Sequence, residues 1–124
     1  MTFSETGLNK NLQKAISDLG FETPTPIQQE AIPYLLENEN DLIALAQTGT
    51  GKTAAFGLPV LHKVDIDRKM PQAIILCPTR ELCLQIAKDM DTYAKYIKGL
   101  RITAVYGGAS IMPQIKALKS GTQI

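Results

Sequence analysis

Asp41-Leu42-Ile43-Ala44-Leu45-Ala46-Gln47-Thr48-Gly49-Thr50-Gly51-Lys52-Thr53 is the stretch that decides the fold. Asp41 to Leu45 is a short apolar, β-rich block, and the residues after Thr53 have helical spacing, so the glycines occupy the turn from a strand into a helix. Gly49 and Gly51 can take positive φ, which turns successive backbone N–H groups inward, and the first turn of the new helix adds its positive dipole end. Such a loop cradles phosphates. Lys52 is placed to reach the β and γ phosphates of a nucleotide, and the Thr53 hydroxyl to ligate Mg²⁺. Lys52 and Thr53 are therefore the candidate catalytic residues, and Thr53 is the candidate metal ligand. Gln47, Thr48, Gly49, Thr50 and Gly51 line the phosphate site with them. The general pattern G-x-x-x-x-G-K-[ST] has glycine first where this chain has Ala46. The competing reading is a plain glycine-rich turn.

Further blocks of the same kind lie at Gln72 to Cys77 and Arg101 to Tyr106, and another opens at Thr122-Gln123-Ile124. Blocks alternating with helical patterns at intervals of roughly thirty residues predict βαβ units: an α/β fold with a parallel β-sheet flanked by helices. Leu8, Leu12, Ala15, Ile16 and Leu19 share one helical face, with Gly20 as the stop. Arg80 to Lys98 reads as the clearest helix. Thr79 caps it, Leu82, Ile86, Ala87, Met90 and Tyr93 trace its apolar stripe, and Gly99 ends it. Pro33 and Pro59 fall inside helical segments, where each predicts a kink or a shift. No repeat or linker divides the chain, so residues 1–124 read as part of one domain whose sheet is cut off at the last strand. Uncovered strand edges favour self-association.

The 124 residues carry a net charge of +1, unevenly spread. Residues 1–60 hold three basic groups against seven acidic ones, and residues 61–124 hold ten against five. The second half is the better candidate for a polyanion contact, although lysines such as Lys88, Lys95 and Lys98 also fit a solvated helix face. No apolar run is long enough for a membrane span, and the N-terminus lacks the pattern of a signal peptide, which predicts a cytoplasmic protein without a membrane partner. Cys77 and Cys83 fit neither a redox nor a zinc spacing and read as reduced structural thiols, and His62 stands alone.

Ahead of the loop lies Gly20-Phe21-Glu22-Thr23-Pro24-Thr25-Pro26-Ile27-Gln28, a stiff turn into a helix. Thr25 suits the N-cap, Pro26 the first helical position, and Gln28 can complete a capping box. A glutamine amide also sets a donor beside an acceptor, which matches N6 and N7 of adenine, so capping and base reading both stay open for Gln28. Pro78-Thr79-Arg80-Glu81-Leu82 leaves the end of a predicted strand and opens a helix, where free N–H groups suit a phosphate. A capped helix start with a solvated Arg80 is the bland alternative. Gly107-Gly108 by itself is a turn.

Taken together these segments resemble the DEAD-box RNA helicases: residues 20–28 the Q motif, 46–53 motif I in its alanine-first form, 78–82 motif Ia, and 107–108 the GG element. The resemblance runs from Phe3 to the last residue. It implies a P-loop NTPase of RecA-like fold that uses ATP and Mg²⁺. Gln28 then reads adenine, Phe3 packs on the base, and Phe21 belongs to the nucleotide site. Pro78, Thr79, Arg80, Glu81, Gly107 and Gly108 contact the RNA backbone with little sequence preference. The family's T-P-G-R, D-E-A-D and S-A-T segments and its second RecA-like domain have no match here. The chain is therefore expected to be an ATP-binding fragment, inactive alone, of an enzyme that couples ATP hydrolysis to RNA binding and local unwinding. The remainder of domain 1 and the second domain are its expected partners. Another P-loop NTPase, such as a DNA translocase, and a non-enzymatic nucleotide-binding module are the alternatives.

Overall fold

The computed structural model describes residues 1–124, and its regular elements are helices. A 3-10 turn at Phe3–Thr6 precedes α1 (Lys10–Asp18), α2 (Pro26–Glu37), α3 (Lys52–Lys63), α4 (Arg80–Tyr93) and α5 (Ile111–Lys119).

Local chemistry sets the ends of α1. Asn9 Oδ1 accepts from the Leu12 N–H at 3.0 Å, satisfying one of the orphan donors of the first turn. At the far end Gly20 takes φ 77°, its N–H bonds to Ser17 O at 2.9 Å, and the Phe21 N–H bonds to Ile16 O at 3.2 Å. That pair is a Schellman motif, which needs a left-handed residue and so favours glycine. Leu12, Ala15 and Ile16 face inward as expected. Leu8 is buried but lies ahead of the helix, and Leu19 closes it at 39 % exposure, so the predicted stripe is shorter than its spacing suggested.

Both prolines are accommodated without a break, since α2 runs through Pro33 and α3 through Pro59. Each removes a single i→i−4 bond. The two helices share the most extensive contact in the molecule, which offsets that loss. α4 starts as expected, with Thr79 Oγ1 accepting from the Leu82 N–H at 3.1 Å. It ends at Tyr93 and not at Lys98. Beyond it the bonds tighten to i→i−3, from Lys95 N–H to Thr92 O at 3.3 Å and from Ile97 N–H to Ala94 O at 2.8 Å. The tighter turn carries Lys95 and Tyr96 onto Asp18 of α1. Leu82 is 41 % exposed and falls outside the buried stripe of Ile86, Met90 and Tyr93.

The core lies between α1, α2, α3 and α4, where Leu12, Ile16, Ile32, Leu58, Leu61 and Met90 are at most 1 % exposed. Each such side chain contributes about 1.5–3 kcal/mol relative to exposure. Gly57 of α3 faces Met90 of α4, and a Cβ there would meet Met90 Cγ at 3.6 Å, an ordinary contact. His62 is structural too: its Nδ1 accepts from the Asn9 N–H at 3.1 Å.

The parallel sheet read from the sequence is not formed by the four segments in this structure. None of residues 41–45, 72–77, 101–106 or 122–124 forms a β-strand. Only their ends meet. Gln72 and Ala73 donate to Gln123 O at 2.8 and 3.3 Å, Gln123 donates to Arg101 O at 3.1 Å, and Thr103 donates to Ile124 O at 2.9 Å. Gln123 is fully buried at this junction; its Oε1 accepts from the Arg101 N–H at 2.9 Å and its Nε2 donates to Ile66 O at 3.2 Å. Residues 41–45 make no backbone bond to any of the others. A strand satisfies its N–H and C=O groups only through neighbours on both sides, and these segments lack them over most of their length.

Candidate functional site

The turn between residues 45 and 52 takes the shape its glycines allow. Gly49 has φ 81° and Gly51 has φ 85°, and Gly51 caps the start of α3. Thr50 Oγ1 donates to Gln47 O at 2.6 Å, which closes the loop on itself. The N–H groups of Gly49 to Thr53 donate to nothing within the chain. Several unpaired donors at the positive end of a helix make a cradle for an anion, and a phosphate chain has the oxygens to fill it. Lys52 stands at the first position of α3, exposed, without an ion-pair partner. Thr53 follows it, half-buried.

Gln28 joins this loop to the start of α2. It is 3 % exposed; its Oε1 accepts from the Thr25 N–H at 3.0 Å, and its Nε2 donates to Gly51 O at 3.1 Å. The capping box anticipated from the sequence is thus half formed. Gln28 makes its bond, whereas Thr25 Oγ1 is buried without a hydrogen-bond partner. The hydroxyl lies close to Gly51, 3.1 Å from where a Cβ would stand, and that Cβ would overlap Gln28 Nε2. Glycine at 51 is therefore required twice, by backbone conformation and by space.

Phe3, Phe21, Gln28, Gly49, Lys52 and Thr53 share the wall of one open cleft of ≈ 1320 Å³. Phe3 is otherwise a core residue at 6 % exposure, and Phe21 is 44 % exposed. The cleft exceeds the roughly 300–1,000 Å³ of a small-molecule site. Its lining also takes in Ile74, Leu76 and Ile86, apolar side chains outside the loop and the start of α2.

A second cluster forms away from that cleft. Pro78, Thr79, Arg80 and Glu81 are all exposed at the start of α4. The Arg80 guanidinium lies 4.6 Å from the ring centroid of Tyr106, and a Cβ on Gly108 would lie 3.7 Å from Arg80 Nη1. Residues 78–81 and 107–108, far apart in sequence, thus meet in space. Tyr106 is the residue that sequence reasoning left out. Its only signal was an aromatic side chain at the end of a β-rich block, just before a double glycine. Cys77 and Cys83 are free thiols, as expected. Burial, with Cys83 beside it, pushes the Cys77 thiol above its ordinary range.

No helix is long and apolar enough to cross a membrane. The family model described as "DEAD/DEAH box helicase" matches residues 25–124. The chain is 51 % identical over 124 residues to the ATP-dependent RNA helicase DeaD of Haemophilus influenzae, covering 100 % of this chain and 20 % of that protein. It is 47 % identical over 123 residues to the protein of that name from Escherichia coli K12, covering 99 % and 19 %. The chain thus spans about a fifth of the length of these relatives. A DEAD box protein from the hyperthermophile Methanococcus jannaschii superimposes with a TM-score of 0.92 at 45 % identity, over 99 % of this chain and 33 % of that one. Saccharomyces cerevisiae Dbp5 bound to RNA and ADP BeF3 does so with a TM-score of 0.79 at 36 % identity, over 89 % and 29 %. The fold is RecA-like, whatever the state of its sheet.

Proposed function

The chain belongs to the DEAD/DEAH box helicase family, and on that premise we propose that it is the ATP-binding part of the first RecA-like domain of an ATP-dependent RNA helicase. In the longer protein it couples ATP binding and hydrolysis to RNA binding and local unwinding. The observation that carries this reading is the loop at residues 47–53: two glycines at positive φ, a row of unpaired N–H groups, and Lys52 unpaired beside them. A plain turn into a helix also leaves its first N–H groups unpaired; what favours a triphosphate here is their convergence with two positive-φ glycines and the unpaired Lys52.

In this reading Gln47 to Thr53 wrap the phosphates, Lys52 bridges the β and γ groups, and the Thr53 hydroxyl is this chain's oxygen ligand for Mg²⁺. The bound metal would supply charge neutralisation at those phosphates. Phe3 and Phe21 flank the base. Gln28 reads adenine by exchanging its Thr25 and Gly51 partners for the base edge, so occupancy of the base pocket reaches the backbone of the phosphate loop. The segments 41–45, 72–77, 101–106 and 122–124 are strands of a parallel sheet once neighbouring segments pair with them. Pro78, Thr79, Arg80, Glu81, Gly107 and Gly108 touch the RNA backbone, which makes binding salt-dependent and nearly indifferent to sequence. The other partners are the remainder of domain 1 and a second RecA-like domain, and the cytoplasm is the expected location.

Calorimetric titration with ADP tests the phosphate site. Lys52→Ala removes a charge-assisted contact worth about 1.5–3 kcal/mol, so affinity is expected to fall by one to two orders of magnitude, and unchanged affinity would refute the loop assignment. Gln28→Ala is expected to weaken adenine nucleotides by about 1–3 kcal/mol while sparing guanine nucleotides. An equal loss of both would reduce Gln28 to a brace on Gly51.

A further inference from the structure

Arg80 occupies the first position of α4, exposed and outside the chain's one ion pair, which joins Lys95 to Asp18. A long exposed arginine ordinarily samples many rotamers, and ordering it to grip an anion costs entropy. Here the guanidinium carbon lies over the Tyr106 ring, 4.6 Å from its centroid. Tyr106 is itself held. Gln114 of α5 accepts from the Tyr106 N–H through Oε1 at 3.0 Å and donates to the Tyr106 carbonyl through Nε2 at 3.0 Å. One side-chain amide thus takes both main-chain groups of the residue, which in a paired strand a neighbouring strand would take. The Gln114 Nε2 also reaches Ser110 O at 3.3 Å, anchoring the amide to its own helix. A separate tie joins the same stretch to α4, where the Cys83 thiol donates to Val105 O at 3.8 Å. Gly108, at φ 77°, lies beside the guanidinium, where a Cβ would stand 3.7 Å from Nη1.

We infer that Tyr106 and Gln114 are positioning residues that hold Arg80 ready for a phosphate of bound RNA. Gln114 fixes the backbone of Tyr106, and the Tyr106 ring fixes the plane of the guanidinium. A cation–π contact uses none of the guanidinium's N–H donors in a hydrogen bond, so ring and phosphate do not compete. The inference rests on the RNA-binding role proposed above for Arg80 and adds two residues that role does not name.

The test uses the full-length protein with Mg²⁺, a non-hydrolysable ATP analogue and fluorescent single-stranded RNA. Tyr106→Leu keeps apolar bulk without a π face and is expected to weaken RNA about two- to fivefold, the ratio for an exposed cation–π contact. Tyr106→Phe restores wild-type affinity, Gln114→Ala weakens RNA to a similar degree, and adenine-nucleotide affinity does not move. Tyr106→Leu placed in an Arg80→Ala background has no further effect. A loss of the same size with and without Arg80 overturns the inference, because Tyr106 would then touch RNA directly. So does wild-type affinity in Tyr106→Leu. A readout without RNA is the Arg80 Nε–H resonance in arginine-labelled protein. Its ring-current shift is expected to vanish in Tyr106→Leu and Gln114→Ala and to persist in Tyr106→Phe. Those shifts in a wild type that binds no RNA refute the RNA reading and leave the positioning intact, whereas a resonance that ignores Tyr106 refutes the positioning.

Discussion

Leu58 and Leu45 are the same side chain in opposite situations, one at 0 % exposure under α4 and the other at 90 % in an extended segment. The contrast holds for helices α1 to α4 and fails at α5, where Ile111 and Met112 are 66 % exposed. Helices α1 to α4 bury Leu12, Ile16, Ile32, Leu61 and Met90, while Ile43, Ile74 and Leu76 are more than four-fifths exposed. Composition does not separate the two regions, since both are rich in leucine and isoleucine. Backbone bonding does. A helix closes its N–H···O bonds within a few residues and needs partners only for one face, whereas an extended segment needs partners for its backbone and for both faces. Helices α1 to α4 each bury residues of one face, whereas α5 and the extended segments leave large apolar side chains exposed.

The sharpest way to break the comparison is to make one substitution in both places. Leu58→Ala is expected to cost about 2–5 kcal/mol in urea unfolding, and Leu45→Ala in this chain to stay within about 0.5 kcal/mol. Equal costs would mean that residues 41–45 are packed after all. Gly51→Ala is a smaller probe, placed where the two regions join. A non-glycine residue at φ 85° carries strain of about 1–3 kcal/mol, and its Cβ meets Gln28 Nε2 as well. A lower melting temperature together with weaker ADP binding is the expected result, and a variant as stable as the wild type would show that the loop can relax elsewhere.

The smallest effect belongs to Asp18, on the outer surface of the helical part. The Tyr96 hydroxyl, and after it Lys95, hold this carboxyl below the ordinary carboxylate range. A depressed folded-state pKa contributes stability that is fully present above the unfolded value and is lost as pH falls through the folded one. Asp18→Asn is accordingly expected to lower the melting temperature slightly at neutral pH, with the difference from wild type closing as pH falls through the depressed pKa. Both groups are solvent-exposed, so added salt shrinks the effect. A difference that grows in acid would contradict this assignment.

What could be read in the sequence follows the same division. Gly49 and Gly51 at positive φ, the cap at Thr79, the stop at Gly20 and the buried Ile86, Met90 and Tyr93 of α4 depend on residues within one or two turns, and spacing is enough to see them. The misses are long-range. The end of α4 at Tyr93 is not visible in its own spacing, and Tyr96 just beyond it meets Asp18 of another helix. Gln28 could be seen as cap or base reader, but its bond to Gly51 depends on how α2 meets the phosphate loop. Tyr106 under Arg80, and Gln114 behind it, required contacts between segments that periodicity does not pair. The four β-rich blocks were recognised by composition, which reports what a segment can do when neighbours are supplied and not whether they are there.

Gln123 gives the molecule a chronology. Its side chain joins Arg101 across 22 residues and Ile66 across 57, and its backbone holds Gln72 and Ala73. A chain emerging from a ribosome at about 5–20 residues per second can close α1, α2 and α3 on one another seconds before residue 123 is made. During that interval the segments at 72–77 and 101–106 have nothing to bind them together, and Ile74 and Leu76 face solvent beside them. The nascent protein can thus fold its first three helices before Gln123 ties the starts of the 72–77 and 101–106 segments together, and Ile74 and Leu76 stay exposed even then.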